Sequence, residues 1–364
     1  MLGFHTKNCH FSEPLSISGN LKKQNSMKLI FTFLIVIICV SINAQNKIKQ
    51  FEHYNISDKK DNIDFIVLRK NKDIKKPTLL FCQGSMPVPL FLKDNNDTIN
   101  LQLSNFDLDY MSEEYNLVVV SRPFTPIIVD TSEINSAYNY VTDKYNNPNS
   151  YDTSYLKSDT KEITTRRVNK VWKFLKKQKW VDKSEFIIAG HSQGSREAVE
   201  IASNNKEVTK IGLFSYSPDG RYQETLKRNR KRAEAGEISW EEADSLNLDW
   251  LEYYKSTLVD YEKLDRLFSY SWKSFNEPSL PKLLKLKIPI YIVYGSNDIG
   301  AVNCDFLPFY FAKANKENLT IKRYGGLEHN FFETNENRVP NYDKPHWIEV
   351  MNQFIDWTLK NGSH

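Results

Sequence analysis

Residues 186–195 read FIIAGHSQGS, a stretch that leaves the chain around it few choices of fold. The apolar run FIIAG suits a buried strand, and the residues that resume after the polar knot, REAVEIAS, suit a helix. Between them Gly190, His191, Ser192, Gln193 and Gly194 fit the spacing G-x-S-x-G. A serine held in a strained strand-to-helix turn needs tiny residues two positions away on either side, so that strand and helix can approach each other. Such a turn lifts the serine hydroxyl above the carboxyl end of a sheet. It also sets the next backbone N–H, that of Gln193, at a helix N-terminus, facing any oxyanion that forms there. The pattern marks Ser192 as a candidate nucleophile.

The rest of the chain supplies the sheet. Strand patterns occur at 47–56, 62–69, 77–82, 116–121, 185–190, 210–217, 289–295 and 319–325. From the third onward several are continuous apolar runs, as expected of parallel strands buried on both faces, whereas the first two read as antiparallel leaders. Helical patterns fall between them at 160–178, 193–204, 305–316 and 344–360. Strands alternating with helices predict an α/β fold: a mostly parallel eight-stranded sheet flanked by helices. Residues 218–280 break this rhythm with no strand pattern, and read as a helical cap inserted between strands six and seven. The spacing of Ser239 and Glu242 there is that of a capping box, and the basic run RNRKR at 228–232 is expected to form the solvated face of a cap helix. The core is then 45–217 together with 281–364.

A serine hydroxyl is a weak nucleophile without a base, and the base needs an orienting acid. His329, in YGGLEHNFF just past the last strand, is the candidate base. His346 sits beside Trp347 in the final helical pattern and is expected to be a surface or packing residue. The sequence YGSND ends strand seven and places Asp298 in the loop beyond it, which makes Asp298 the candidate acid. Its rival, Asp305, opens DFLPFYF and is expected to cap a helix. Ser192, Asp298 and His329 thus all follow strands, at the end where parallel α/β sheets place their sites. A second oxyanion donor is expected from the loop FCQGSMPVP after strand three, as the backbone N–H of Ser85, with Gly84 allowing close approach.

Composition sets limits. The chain has 364 residues and a formal charge of +4 spread thinly along it, which implies no nucleic-acid partner. From Met27 the sequence MKLIFTFLIVIICVSINAQNK has the basic, apolar and small-residue order of a secretory signal peptide, assigned to 27–44. Its apolar run, of about 12 residues, falls short of the ~20 needed to span a bilayer, so no stable membrane partner is expected. Residues 1–26 read as an unstructured upstream extension. The expected destination is the periplasm or the exterior.

With AGHSQGS, YGSND and GLEHNFF in place, the chain resembles the α/β-hydrolase superfamily over roughly 60–360. WVDKSEFIIAGHSQGS is similar to the branch of dienelactone hydrolases, acyl-peptide hydrolases and prolyl-oligopeptidase-type domains. The resemblance implies an eight-stranded sheet, a Ser-Asp-His triad, no metal and no organic cofactor. Ser195 departs from the second glycine usual in GHSQGG, and no β-propeller pattern precedes the core, which weighs against an oligopeptidase. In that superfamily's sheet order strands three and seven lie three strand spacings apart, ~14 Å, beyond the ~7 Å Cα separation a disulfide spans. Cys82 and Cys304 are therefore expected to be free. The expected activity is cleavage of a small-molecule carboxylic ester. Amide cleavage, acyl transfer and a non-catalytic binding role are the alternatives.

Nine aromatics crowd 240–275: Trp240, Trp250, Tyr253, Tyr254, Tyr261, Phe268, Tyr270, Trp272 and Phe275. Some of them are expected to line the substrate pocket.

Overall fold

The computed structural model describes residues 51–58, 61–94, 99–102 and 106–361. The extension 1–26, the segment 27–44 and the expected start of the first strand at 47–50 lie outside them.

Eight strands form the main sheet: β1 (Phe51–Ser57), β2 (Asn62–Leu68), β3 (Lys76–Cys82), β4 (Asn116–Val120), β5 (Val181–His191), β6 (Lys210–Phe214), β7 (Ile290–Gly295) and β8 (Leu319–Tyr324). Their spatial order is β1-β2-β4-β3-β5-β6-β7-β8. β2 is antiparallel to both β1 and β4, and all later neighbours are parallel. Of the two leaders, then, only β2 runs against the rest.

The continuous apolar runs split by the two-residue period of a strand. Leu80, Val118 and Ile188 enter one hydrophobic cluster, while Leu79, Leu117, Val119 and Ile187 enter the other. Helices α1 (Lys161–Leu175) and α2 (Gln193–Asn204) cover the first face. Three further helices, α3 (Arg221–Glu234), α4 (Trp240–Ser256) and α5 (Ser269–Asn276), lie between β6 and β7, and α6 (Trp347–Lys360) packs Val350, Met351, Phe354 and Ile355 on the second face. Two of these starts have a local cause. Thr160 accepts the Ile163 N–H ahead of α1, and Ser239 accepts the Glu242 N–H at 3.0 Å ahead of α4.

The 218–280 segment is helix and loop, and its two ends meet where the Tyr222 N–H donates to Asn276 Oδ1 at 3.3 Å. Tyr222 is ringed by Trp250, Tyr253, Tyr254 and Trp272, with Trp250 stacked on Trp272 at 4.6 Å. Most of the aromatics noted above thus pack on one another.

Several expectations need correction. Strand six ends at Phe214 because Ser215 adopts a left-handed φ of 48°. The helix expected at 305–316 is α-helical only over Leu307–Lys313, preceded by a 3-10 helix at Ile299–Phe306. Asp305 lies inside that 3-10 helix and caps nothing; its carboxylate accepts from the Tyr294 hydroxyl and faces Arg323 at 3.5 Å. The residue that caps the turn is Asp298, whose Oδ1 accepts the Gly300 N–H at 2.9 Å. Two small sheets carry no sequence signal: Phe91–Lys93 between Ile99–Leu101 and Ile128–Asp130, and Phe332–Thr334 against Pro340–Pro345. Most of their strands are three residues long, too short for a period to show. Cys82 and Cys304 are buried and unpaired, and the Cys304 thiol donates to the Tyr216 carbonyl at 3.1 Å.

Candidate active site

β5 runs directly into α2 through Ser192, whose backbone sits at φ 57°, ψ −119°. That left-handed conformation is strained for a residue with a side chain. Its neighbours show how the turn closes. A Cβ on Gly190 would come within 2.1 Å of the Gly194 carbonyl oxygen, and one on Gly194 within 2.2 Å of the Cys82 carbonyl oxygen. Both positions therefore admit only glycine. Ser195 follows without penalty, since its hydroxyl turns back to donate to the Ser192 carbonyl at 2.5 Å.

The turn brings the Ser192 hydroxyl to 2.8 Å from His329 Nε2. His329 Nδ1 lies 2.9 Å from Asp298 Oδ2. A carboxylate can only accept, so Nδ1 carries the proton and Nε2 presents its lone pair to the serine hydroxyl. Burial pulls the His329 pKa down, but the charge and hydrogen bond of Asp298 outweigh it and leave the pKa above its ordinary value. Asp298 itself is buried, with one oxygen on Gly300 and the other on His329, so its orientation is fixed from both ends.

Two groups that the sequence did not single out hold the backbone of His329. His191 Nε2 donates to the His329 carbonyl at 3.0 Å, and the Ser215 hydroxyl donates to the same oxygen at 2.6 Å. Burial pushes the His191 pKa down to about 3, so its ring stays neutral. Trp347 packs edge-on against that ring at 4.8 Å. His346, by contrast, lies at the start of α6 between Glu349 (3.0 Å) and Glu333 (3.1 Å), bonded to neither Ser192 nor Asp298.

Gln193 and Ser85 line the same cavity as Ser192. The Gln193 N–H, in the first turn of α2, has no acceptor within its own helix. A Cβ on Gly84 would meet His191 Nδ1 at 3.7 Å and Ser192 Cβ at 3.9 Å, ordinary contacts, so packing does not demand the glycine there. What fixes this loop is Arg122, just past β4. Its guanidinium donates to the carbonyls of Gln83 (2.5 Å) and Gly84, and to Glu197 Oε1 of α2 at 2.6 Å. The Gln193 side chain is also held, by Asp159 at 2.7 Å, Glu197 at 3.1 Å and Arg221 of α3 at 2.5 Å. The sequence SRP gave no hint of the Arg122 role, because its partners lie in two distant segments.

The cavity above Ser192 measures about 600 Å³. Core loops, α3, α5 and the turn before Pro340 all contribute to its walls, and of the nine aromatics Phe268 and Trp272 line it. Among the described residues no group of three or more His, Cys, Asp or Glu side chains is placed to hold a metal ion.

Solved structures share this sheet architecture. A Bacteroides ovatus protein described as a dipeptidyl aminopeptidase IV superposes with a TM-score of 0.50 at 13% identity, over 84% of this chain and 35% of its own. An acylaminoacyl peptidase of Pyrococcus horikoshii superposes with a TM-score of 0.50 at 13% identity, over 86% of this chain and 42% of its own. The fold is the α/β-hydrolase fold. An α/β hydrolase enzyme from a Medee basin deep-sea metagenome is also similar, with a TM-score of 0.45 and 13% identity over 84% of this chain and 96% of its own. The chain spans less than half the length of the two peptidases. No protein-family model matches it, and no curated protein does in sequence. Within the α/β-hydrolase fold, the strand ends of β5, β7 and β8 carry Ser192, Asp298 and His329 in that order along the chain.

Proposed function

We propose that the chain is an exported serine hydrolase that cleaves a carboxylic ester through an acyl-enzyme on Ser192. The observation that carries this reading is the hydrogen-bonded line from the Ser192 hydroxyl through His329 to Asp298, at 2.8 Å and 2.9 Å, anchored on a left-handed serine. In this mechanism Ser192 attacks the substrate carbonyl while His329 Nε2 takes its proton. The oxyanion is stabilised by the N–H groups of Gln193 and Ser85. His329 then protonates the leaving alcohol, and water repeats the sequence to release the acid. Asp298 holds the tautomer and stabilises the imidazolium.

Peptide or amide cleavage is the second reading. The names of the two peptidases of the same fold favour it, and the same three side chains would serve it. Export rests on the pattern at 27–44; recovery of a mature chain beginning near Gln45 from the periplasm or medium is the expected result.

The deciding experiment is labelling with a fluorophosphonate probe, which requires an activated serine. Wild-type protein should be labelled on Ser192, and a panel of chromogenic esters alongside peptide amides should then rank the two bonds. Failure to label, with no turnover of either class, would leave the chain as a binding protein on this fold.

The cavity walls make a further prediction. Phe268→Ala should change discrimination between esters of different acyl length, by about 1–3 kcal/mol per methylene-sized contact. Phe275 is fully buried and lies outside the cavity lining. Phe275→Ala should instead lower stability by about 3–5 kcal/mol. Thermal melts read beside two ester rates separate the outcomes.

A further inference from the structure

The cavity above Ser192 is lined by four arginines and no lysine: Arg196, Arg221, Arg228 and Arg338. Two of them are occupied. Arg196 pairs with Glu224, while Arg221 donates to Ser271 at 2.9 Å and to Gln193 at 2.5 Å. The lining carboxylates are occupied as well. Asp159 accepts from Gln193 and Ser271, Asp298 from His329 and Gly300, and Glu328 accepts the Asn330 and Phe332 N–H groups at 2.7 Å and 3.1 Å. Arg228 and Arg338 remain, exposed and with no hydrogen bond or ion pair to their side chains among the described residues.

Their placement is specific. Arg221, Glu224, Thr225 and Arg228 recur at the three- and four-residue spacing of one helix face, and all four line the cavity. The basic run of α3 therefore divides. Arg230 and Lys231 turn away to Glu234, and Arg232 to Glu237, as a solvated face would, but Arg228 faces the candidate nucleophile's cavity. Arg338 arrives from elsewhere in the chain, in the turn that joins Phe332–Thr334 to Pro340–Pro345. Its φ is 60°, a conformation that glycine or asparagine adopts at least cost. An arginine in that position, aimed over the same cavity, is a costly choice if it serves only the turn.

We propose that Arg228 and Arg338 form an anion-recognition site, and that the substrate carries a carboxylate in addition to the scissile carbonyl. Arginine suits this ligand because its planar fork donates two parallel hydrogen bonds to a carboxylate. The inference deepens the Ser192 reading and rests on it for the word substrate, but the binding site itself can be tested without turnover.

Two measurements decide it. In the first, wild-type protein is titrated calorimetrically with 4-phenylbutyrate and with 4-phenylbutyramide at low salt. The carboxylate should bind at least tenfold more tightly than the amide, and Arg228→Gln and Arg338→Gln should each erase most of that difference. Equal affinities, or an unchanged difference in both variants, would overturn the proposal even if the protein proves to have no esterase activity.

In the second, kcat/KM is compared for the 4-nitrophenyl monoester of glutaric acid and for the same ester with its free carboxylate methylated. The parallel pair, with the charge on the leaving side, is the acetyl ester of 4-hydroxyphenylacetate against that of its methyl ester. At least one pair should favour the anion tenfold or more, with the ratio falling severalfold in 0.5 M salt and towards one in the double variant. Ratios near one in both pairs, with Ser192 labelled and active, would sink the anion site and leave the hydrolase reading standing. Loss of labelling together with retained carboxylate binding would do the reverse.

Discussion

Ser192→Ala is expected to remove turnover by roughly 10⁴–10⁶-fold while leaving the protein folded. The turn is set by Gly190 and Gly194 rather than by the serine side chain, since it is at those two positions that an added Cβ would strike backbone within 2.2 Å. The Ser192 hydroxyl bonds to His329, and alanine removes that bond without adding bulk. Steady-state rates on an activated ester, read beside a thermal melt, give the check. A variant that kept a tenth of the wild-type rate would remove Ser192 from the chemistry.

The second large effect concerns Asp298. An asparagine there keeps the shape but can donate to the ring, so the histidine is no longer held with its proton on Nδ1, and a loss of about 10⁴-fold in kcat is expected. The pH profile supplies an independent sign. Nε2 must be unprotonated to act as base, so kcat/KM of the wild-type protein should fall as pH drops through the His329 pKa, which Asp298 holds above the ordinary imidazole value. In Asp298→Asn the largest raising influence is gone while burial remains, so the residual activity should survive to lower pH than in wild type. Asp305→Asn is the control, because Asp305 is engaged with Tyr294 and Arg323. An acid limb that stays put in Asp298→Asn, or a loss centred on Asp305, would reassign the acid.

The three side chains that meet in one hydrogen-bonded line were legible because each follows a strand that the sequence announces. FIIAG, PIYIVYG and LTIKRYG are apolar enough to be read as β5, β7 and β8, and Ser192, Asp298 and His329 sit in the polar residues just beyond them. What escaped reading is what depends on distant partners. Arg122 clamps the Gln83–Gly84 backbone and Glu197 together, a contact that exists only once β3, β4 and α2 are side by side. His191 lies within the turn motif, yet its bond to the His329 carbonyl requires β5 and the loop after β8 to converge. Arg338 is set by a left-handed turn between two short strands, where no periodicity could have signalled it. DFLPFYF resembles a helix start, but the chain spends Ile299–Phe306 in a 3-10 helix capped earlier by Asp298, so Asp305 has no helix end to cap.

Arg221 stands at the first residue of α3, in the segment between β6 and β7, yet it reaches across to the side chain of Gln193, the residue that follows Ser192. Its guanidinium also lies over the Trp272 and Phe275 rings, at 5.4 Å and 5.0 Å. The helical segment is thus latched onto the immediate neighbour of Ser192. If its first turn swung outward, the buried Gln193 amide oxygen would lose its donor, at a cost of about 1–3 kcal/mol. A guest that fits the cavity as it stands would leave this latch fastened, whereas one that displaced the first turn of α3 would first have to undo a bond one residue from Ser192.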